Sequence, residues 1–370
     1  MMSAVPAVTE SDLATSSFGI PWPVLNEGLS YEDVVSCRDS VLTLAEFYSK
    51  KYVCSATLQG WLQRIRNGQI TVDGTVIREP STLLRAGQLL VYHRFPWKEP
   101  EAPYVIGILY EDDDIIVLNK PSGLQVLPGG LFQQRTVLRQ LQWLNNKCGN
   151  GSNPVPVHRL GRGTSGILLC AKTKLAKTRL SSYFAYGTSL VGANSIDRGL
   201  SMDMKCFKFY RTIVHGIISQ DEMIIKQPIG IVQYPGVTKG LYVASPSGKP
   251  AQSIVQVLER DLQNNHSLVK VLIETGRPHQ IRIHLSFMGH PLLGDPLYDV
   301  GGVPKDNIPG ADETLAEDGG YTRPAQAVPG DCGYFLHAHQ LTFPHPATQK
   351  IIKITAPLPS ILQTSSELEH

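Results

Sequence analysis

A chain of 370 residues, 42% apolar and 18% charged, has the make-up of a folded globular protein of one large or two ordinary domains, not of a disordered or fibrous one. No apolar run approaches the roughly 20 residues that cross a bilayer as a helix. The net charge of +2 hides an uneven spread: residues 1–37 carry five acids and no Lys or Arg, whereas residues 38–98 carry nine Lys or Arg against four acids. A basic segment beside a near-neutral remainder points to a polyanionic partner.

Residues 1–40 hold Ser, Pro and acids with no sustained period, and are expected to form an irregular arm. Residues 42–94 read as a compact unit. Leu44, Phe47 and Tyr48 mark one helix. Ser55 is expected to cap a second, from about Thr57 to Asn67, which Gly68 stops. Gln69–Val72, the Asp73-Gly74 turn and Thr75–Ile77 spell a hairpin, and Leu89–Val91 closes the unit. Its cations Lys50, Lys51, Arg64 and Arg66 lie on or beside the helices, as an ordinary solvated face or as a phosphate-binding one. Residues 95–104 contain the Pro-bearing Trp97–Tyr104 and read as a linker.

Residues 105–360 form the body. Tyr110 to Pro121 is an acidic turn feeding a buried strand. Consecutive Asp residues cannot all turn to one ion, so the turn is solvated and not a metal site. Asn145 to Pro156 is a surface loop. Val157 to Thr173 reads V-H-R-L-G-R-G-T-S-G-I-L-L-C-A-K-T. His158–Gly166 is a polar, cationic, Gly-rich loop, and Ile167–Ala171 is a short buried strand. Such a junction is a good place for a site. Thr173 is expected to cap a helix over Lys174–Tyr183 with Leu175, Leu180 and Phe184 inward. Residues 190–203 read as an insertion. Phe207–Val214 is a strand ending at Gly216, and Ser267–Thr275 is an alternating strand. Pro278 in a first helical turn and Gly289 as a stop bound a short helix, with Ile281, Leu285 and Met288 on its inner face. His279 and His284 are five apart, wrong for a helical metal pair. Residues 300–333 read as a second insertion. Residues 361–370 read as a tail ending in a tag-like stub, Leu368-Glu369-His370.

The loop from His158 to Gly166 resembles H-R-L-D-x-x-T-S-G, the signature of the RluA family of RNA pseudouridine synthases. His158, Arg159, Leu160, Thr164, Ser165 and Gly166 match, Arg162 and Gly163 take the free positions, and Gly161 stands where the family has its catalytic Asp. Other stretches carry the same resemblance. Tyr110–Pro121 is similar to the first family motif. Lys208-Phe209-Tyr210-Arg211-Thr212 resembles K-x-Y-x-A, with Thr212 in the Ala place. Gly276–His284 resembles G-R-T-H-Q-I-R-V-H, with Pro278 in place of Thr, and runs on into Gly289-His290-Pro291 and Gly294–Tyr298. Residues 42–94 resemble the small RNA-binding module named after ribosomal protein S-four.

The resemblance implies an α+β fold: a mixed, largely antiparallel sheet with flanking helices, preceded by the S-four-like domain. It implies a structured, uridine-containing RNA as partner, no metal, no organic cofactor, no membrane, and a monomer. The six cysteines, Cys37, Cys54, Cys148, Cys170, Cys206 and Cys332, form no C-x-x-C pair, against a zinc site or a disulfide framework. Free thiols and the lack of a presequence suggest cytosol or nucleus, with an organelle left open if further residues precede the chain.

In the family the target base leaves its stack, at a cost of roughly a few kcal/mol. Carried over by position, Arg159 fills the gap and Tyr210 stacks on the uracil. Arg282 takes the place of the base that pairs with the Asp. His158, Arg162, Thr164, Ser165 and Arg277 join Lys50, Lys51, Arg64 and Arg66 in contacting RNA. Gly161 leaves no side chain at the reacting position and room for an Asp, and nothing from Lys147 to Ile196 is acidic. Arg282 is therefore expected to find another partner: a distant carboxylate, a solvent anion or an RNA phosphate. Two readings follow. One is an RluA-type synthase, an intramolecular transferase with an altered catalytic arrangement; the other is an RNA-binding pseudoenzyme of the same fold.

Overall fold

Thr43 starts the first helix, Leu44–Lys51, with a capping box. The Glu46 N–H donates to Thr43 Oγ1 at 3.3 Å, and the Thr43 N–H donates to the Glu46 carboxylate at 2.8 Å. In the computed structural model, which describes residues 16–53, 55–148, 153–189, 206–234, 237–273, 275–305, 315–317, 319–320, 322–324 and 332–369, this helix packs on a second, Leu58–Arg66. Thr57 caps the second helix, not Ser55: Gly60 N–H donates to Thr57 Oγ1, while the Ser55 hydroxyl accepts from Arg64 at 3.2 Å. Asp73 and Gly74 both have positive φ, 50° and 82°, as a tight two-residue turn requires. The hairpin Ile70–Val72 with Thr75–Ile77 pairs onto Leu89–Arg94. Leu44, Phe47, Trp61, Ile65, Ile70 and Leu90 are the core of this unit, separate from that of the body.

Four segments are tied down more firmly than their composition suggests. Leu29–Val34, inside the stretch expected to be irregular, is a strand that pairs with Leu89–Arg94 and so covers that edge. Ser17–Phe18 pairs with Ile106–Gly107 of the body. The 95–104 stretch, read as a linker, is anchored: Trp97 is buried and donates to the Leu131 carbonyl at 3.0 Å. Buried Glu99 accepts the backbone N–H groups of Gln133, Gln134 and Arg135, each at 2.9 Å. The stretch from residue 361 to 369 is held as well. Leu362 is buried, and Arg211 donates twice to Glu367 at 2.7 Å.

Among the described residues the body is built on one sheet of eleven strands. Its main order is Ser17–Phe18, Ile106–Glu111, Ile115–Lys120, Ser165–Ala171, Leu336–Pro344, Phe207–His215, His266–Ile273, Ser253–Asp261 and Glu222–Ile225. Among the described residues every pairing in it is antiparallel except Ser165–Ala171 with Leu336–Pro344. The two halves of the sheet meet at that parallel seam. Gly166, at φ 99°, lets them close: a Cβ there would collide with the backbone of Ala338. The fold is therefore mixed and mostly antiparallel with few helices, as expected.

The helix Lys174–Ser189 buries Ala176, Leu180 and Tyr183, a helical i, i+4, i+7 stripe. Leu175, expected inside, lies one position off that stripe and is exposed. The helix Gln280–Phe287 starts two residues after Pro278, from His279 with φ 55°. It is wedged between two cores: Ile281 and Leu285 face the body, while Ile283 packs with Leu297 and Tyr298. Met288, expected on its inner face, is exposed, because Gly289 turns the chain away at φ 89°. The insertion expected at 190–203 lies outside the described residues. The insertion at 300–333 is described in part. It contributes the short hairpin Leu315–Glu317 with Thr322–Pro324, and the Gly319 and Gly320 carbonyls accept from Phe95 of the connecting stretch and Asn67 of the small unit.

Candidate active site

The loop His158–Thr164 leads into the strand Ser165–Ala171 beside the parallel seam, at the middle of the sheet. Its shape is set from beneath. Thr164 N–H donates to the Gly161 carbonyl at 3.0 Å and closes a turn. Buried Lys120 donates to the carbonyls of Pro121, Leu124 and Arg162. Ser122 donates to the Gly163 carbonyl at 2.7 Å, and Gly123 N–H donates to that of Arg162 at 2.9 Å. The Lys-Pro-Ser-Gly motif is thus the clamp of the loop, a role its sequence did not disclose. His158 Nε2 accepts the Leu169 N–H at 3.0 Å. Burial, with the charge of Lys208 nearby, lowers its pKa to about 3, which keeps the ring neutral and able to accept.

Tyr210 lies on the strand Phe207–His215, where the pairing with Leu336–Pro344 shifts register between Phe209 and Tyr210. Such bulges re-aim side chains next to sites. Burial raises the pKa of the Tyr210 phenol. Arg282 is on the helix Gln280–Phe287. It is enclosed and forms a bidentate pair with buried Asp295: Nε to Oδ2 and Nη2 to Oδ1, both 2.7 Å. Burial opposes its charge, but the hydrogen bonds and charge of Asp295 raise its pKa above the ordinary value. Asp295 Oδ1 also accepts the N–H groups of Leu297 and Tyr298. The expected partner of Arg282 is therefore a carboxylate of the chain itself, thirteen residues on. Arg282 Nη1 is buried and has no hydrogen-bond partner among the described residues.

Arg159, Gly161, Thr164, Tyr210, Arg277 and Arg282 line one cavity of about 100 Å³, together with His279 and Tyr334. The cavity is small. Among the described residues its wall holds three arginines and no carboxylate. Arg159 is exposed at its mouth. Tyr334 was not anticipated. Its ring lies on the Arg282 guanidinium at 4.3 Å, a group that also lies 5.0 Å from the Tyr298 ring, and the Tyr334 hydroxyl is 3.3 Å from Thr164 Oγ1. A Cβ on Gly161 would lie 2.9 Å from that hydroxyl. The space at Gly161 is therefore occupied, contrary to the expectation that it could take an Asp freely. Backbone strain is not the obstacle, since Gly161 is not among the positive-φ residues. One faint signal was available: Gly294-Asp295 and Gly333-Tyr334. A Cβ on Gly294 would collide with the Gly333 carbonyl, and this close backbone approach brings Asp295 and Tyr334 to the same arginine.

Several anticipated RNA contacts are turned inward. His158 is held as described and packs on Phe184 at 4.9 Å. Ser165 bonds His337 Nδ1 at 2.9 Å, and Arg162 lies over the Phe132 ring at 5.0 Å. In the small unit, Lys50 and Arg66 are exposed. Lys51 is paired with Asp33 at 2.7 Å. Arg64 is 1% exposed and lies over the Trp61 and Tyr92 rings. It is a core residue and not part of a phosphate-binding face. A larger cavity, about 800 Å³, lies between this unit and Pro128–Gly130, walled by Tyr31, Tyr48, Trp61 and Tyr92. None of the residues matched to catalytic motifs is among those that line it. Among the described residues no group of His, Cys, Asp and Glu could hold a metal ion, and no helix is long and apolar enough to cross a membrane.

The central loop of a mixed sheet, Tyr210 and Arg282 thus meet around one cavity walled by arginines. Residues 114–287 match the family model described as RNA pseudouridylate synthase, and the chain belongs to that family. It is 63% identical over 360 residues to RNA pseudouridine synthase 5 of Arabidopsis thaliana, a match covering 94% of this chain and 98% of that one. It is 58% identical to the protein of the same name from Oryza sativa subsp. japonica, over 96% of this chain and 93% of that one. Ribosomal large subunit pseudouridine synthase D of Pseudomonas aeruginosa is 35% identical, over 82% of this chain and 83% of its own.

Proposed function

We propose that this protein isomerises uridine to pseudouridine in RNA, with the flipped base taken into the cavity at Tyr210. The observation that carries the reading is convergence. Three stretches far apart in sequence, Arg159–Thr164, Tyr210 and Arg277–Arg282, wall one cavity, and each matches a different motif of one family. Tyr210 offers an apolar face for the uracil ring. Exposed Arg159 can enter the stack that the base leaves. Arg277 and the exposed Lys50 and Arg66 supply charge for the RNA backbone.

The reaction breaks the N1–C1′ bond, forms C5–C1′ and releases the C5 hydrogen. RNA carrying tritium at C5 of its uridines therefore reports it directly. The expected result is tritium release at an enzyme-like rate, with pseudouridine recovered from the digested RNA. RNA that binds but releases no tritium would support the pseudoenzyme reading, which the empty side-chain position at Gly161 motivates.

A further inference from the structure

We propose that Tyr334 is the catalytic residue of this synthase, its hydroxyl acting at C1′ in place of the carboxylate absent at 161. The inference rests on the proposed function above. Its basis is position. The Tyr334 hydroxyl is 2.9 Å from where a Cβ of residue 161 would stand, so it fills the space into which an aspartate would project. The ring is buried and fixed on Arg282. Arg282 cannot lend Asp295 to the chemistry, because both carboxylate oxygens are bound to its guanidinium. Its remaining nitrogen, Nη1, is buried without a hydrogen-bond partner among the described residues, and so can receive an anionic oxygen. The titratable groups walling the cavity besides Tyr334 are Arg159, Tyr210, Arg277, His279 and Arg282. Of these Tyr210 alone has an oxygen to react. Tyr334 differs from it in lying directly on a guanidinium that stabilises a developing phenolate.

The step balances without a co-reactant. The Tyr334 oxygen gives an electron pair to C1′ and its proton goes to the departing uracil. The N1–C1′ bond breaks, leaving a neutral base with hydrogen on N1 and an aryl ether at C1′. After the base turns, the C5=C6 pair forms the C5–C1′ bond and the ether bond breaks. The oxygen recovers its pair and takes the hydrogen from C5. Pseudouridine and the free phenol result, and exchange of that phenolic hydrogen with water explains the tritium release expected above.

The test compares the full chain with Tyr334→Phe, which keeps the ring on Arg282 and removes the oxygen alone. Single-turnover tritium release should fall by at least about 10³-fold, with RNA affinity within twofold of the wild type. A wild type that is active beside a Phe variant within tenfold of it overturns this inference and leaves the proposed function standing. A wild type that releases no tritium overturns both. Should the Phe variant fail to fold, 3-fluorotyrosine in place of Tyr334 keeps the shape and makes the phenol more acidic. The pH–rate profile should then move to lower pH, and an unmoved profile overturns the proposal.

Discussion

Arg282 and Asp295 form a bidentate ion pair in which both side chains are essentially excluded from solvent. Desolvating two charges is repaid only by such geometry, and the two backbone N–H groups on Asp295 Oδ1 complete it. The pair turns this arginine of the cavity wall into a fixed part of the framework, with Nη1 as its remaining free arm among the described residues. Asp295→Ala should cost about 3–5 kcal/mol, the cost of leaving a buried charge uncompensated. Urea unfolding measures it. A loss under about 1 kcal/mol would mean that Arg282 is satisfied elsewhere.

Gly161→Asp should be destabilising and not neutral. Its Cβ meets the Tyr334 hydroxyl at 2.9 Å and Thr164 Oγ1 at 3.3 Å. Overpacking of this kind costs about 1–3 kcal/mol. The penalty should shrink in a Tyr334→Phe background, where the oxygen is gone. A double-mutant cycle on thermal unfolding reads the coupling. Additive effects would place the strain somewhere other than this contact.

The cations of the small unit should separate into two kinds. Replacing exposed Lys50 or Arg66 with Ala should weaken RNA binding at low salt and lower the salt slope by about 0.7–0.9 for each phosphate that is no longer neutralised. Arg64→Ala should instead destabilise the fold, since its guanidinium lies over Trp61 and Tyr92 inside the core. Binding titrations at several salt concentrations, beside melting curves, distinguish these. A melting temperature unchanged by Arg64→Ala would contradict its placement.

Acid should destabilise the protein well before its carboxylates titrate. Burial lowers the pKa of His284 and His337 to about 4 and, with Lys208, that of His158 to about 3. Their unfolded values are near 6.5. Below about pH 6.5 the unfolded chain therefore binds protons that the folded chain refuses. Stability is highest above that pH and declines as pH falls toward 4, by up to about 1.4 kcal/mol per pH unit for each histidine. Chemical denaturation across pH 7 to 4 checks this. A flat profile would show that these rings protonate in place.

Much of this molecule is local, and local features are legible in a sequence. The Asp73-Gly74 turn, the strand Ile167–Ala171 and the stops at Gly68, Gly216 and Gly289 follow from backbone preferences of single residues. The three site stretches are recognisable because each keeps a contiguous motif. What could not be read locally was decided by packing. Leu29–Val34 has little strand character of its own and becomes a strand because Leu89–Arg94 offers an edge. Arg64 is indistinguishable in the sequence from Arg66, yet one turns inward onto aromatic rings and the other stays in solvent. Asp295 and Tyr334 come to Arg282 only because the Gly294 and Gly333 backbones touch. That approach joins segments some forty residues apart, separated by an insertion without a period. The sequence by itself determined the class of chemistry and the absence of a carboxylate at position 161. Which side chain occupies the space left there is a matter of distance across the fold, and only the tertiary structure supplies it.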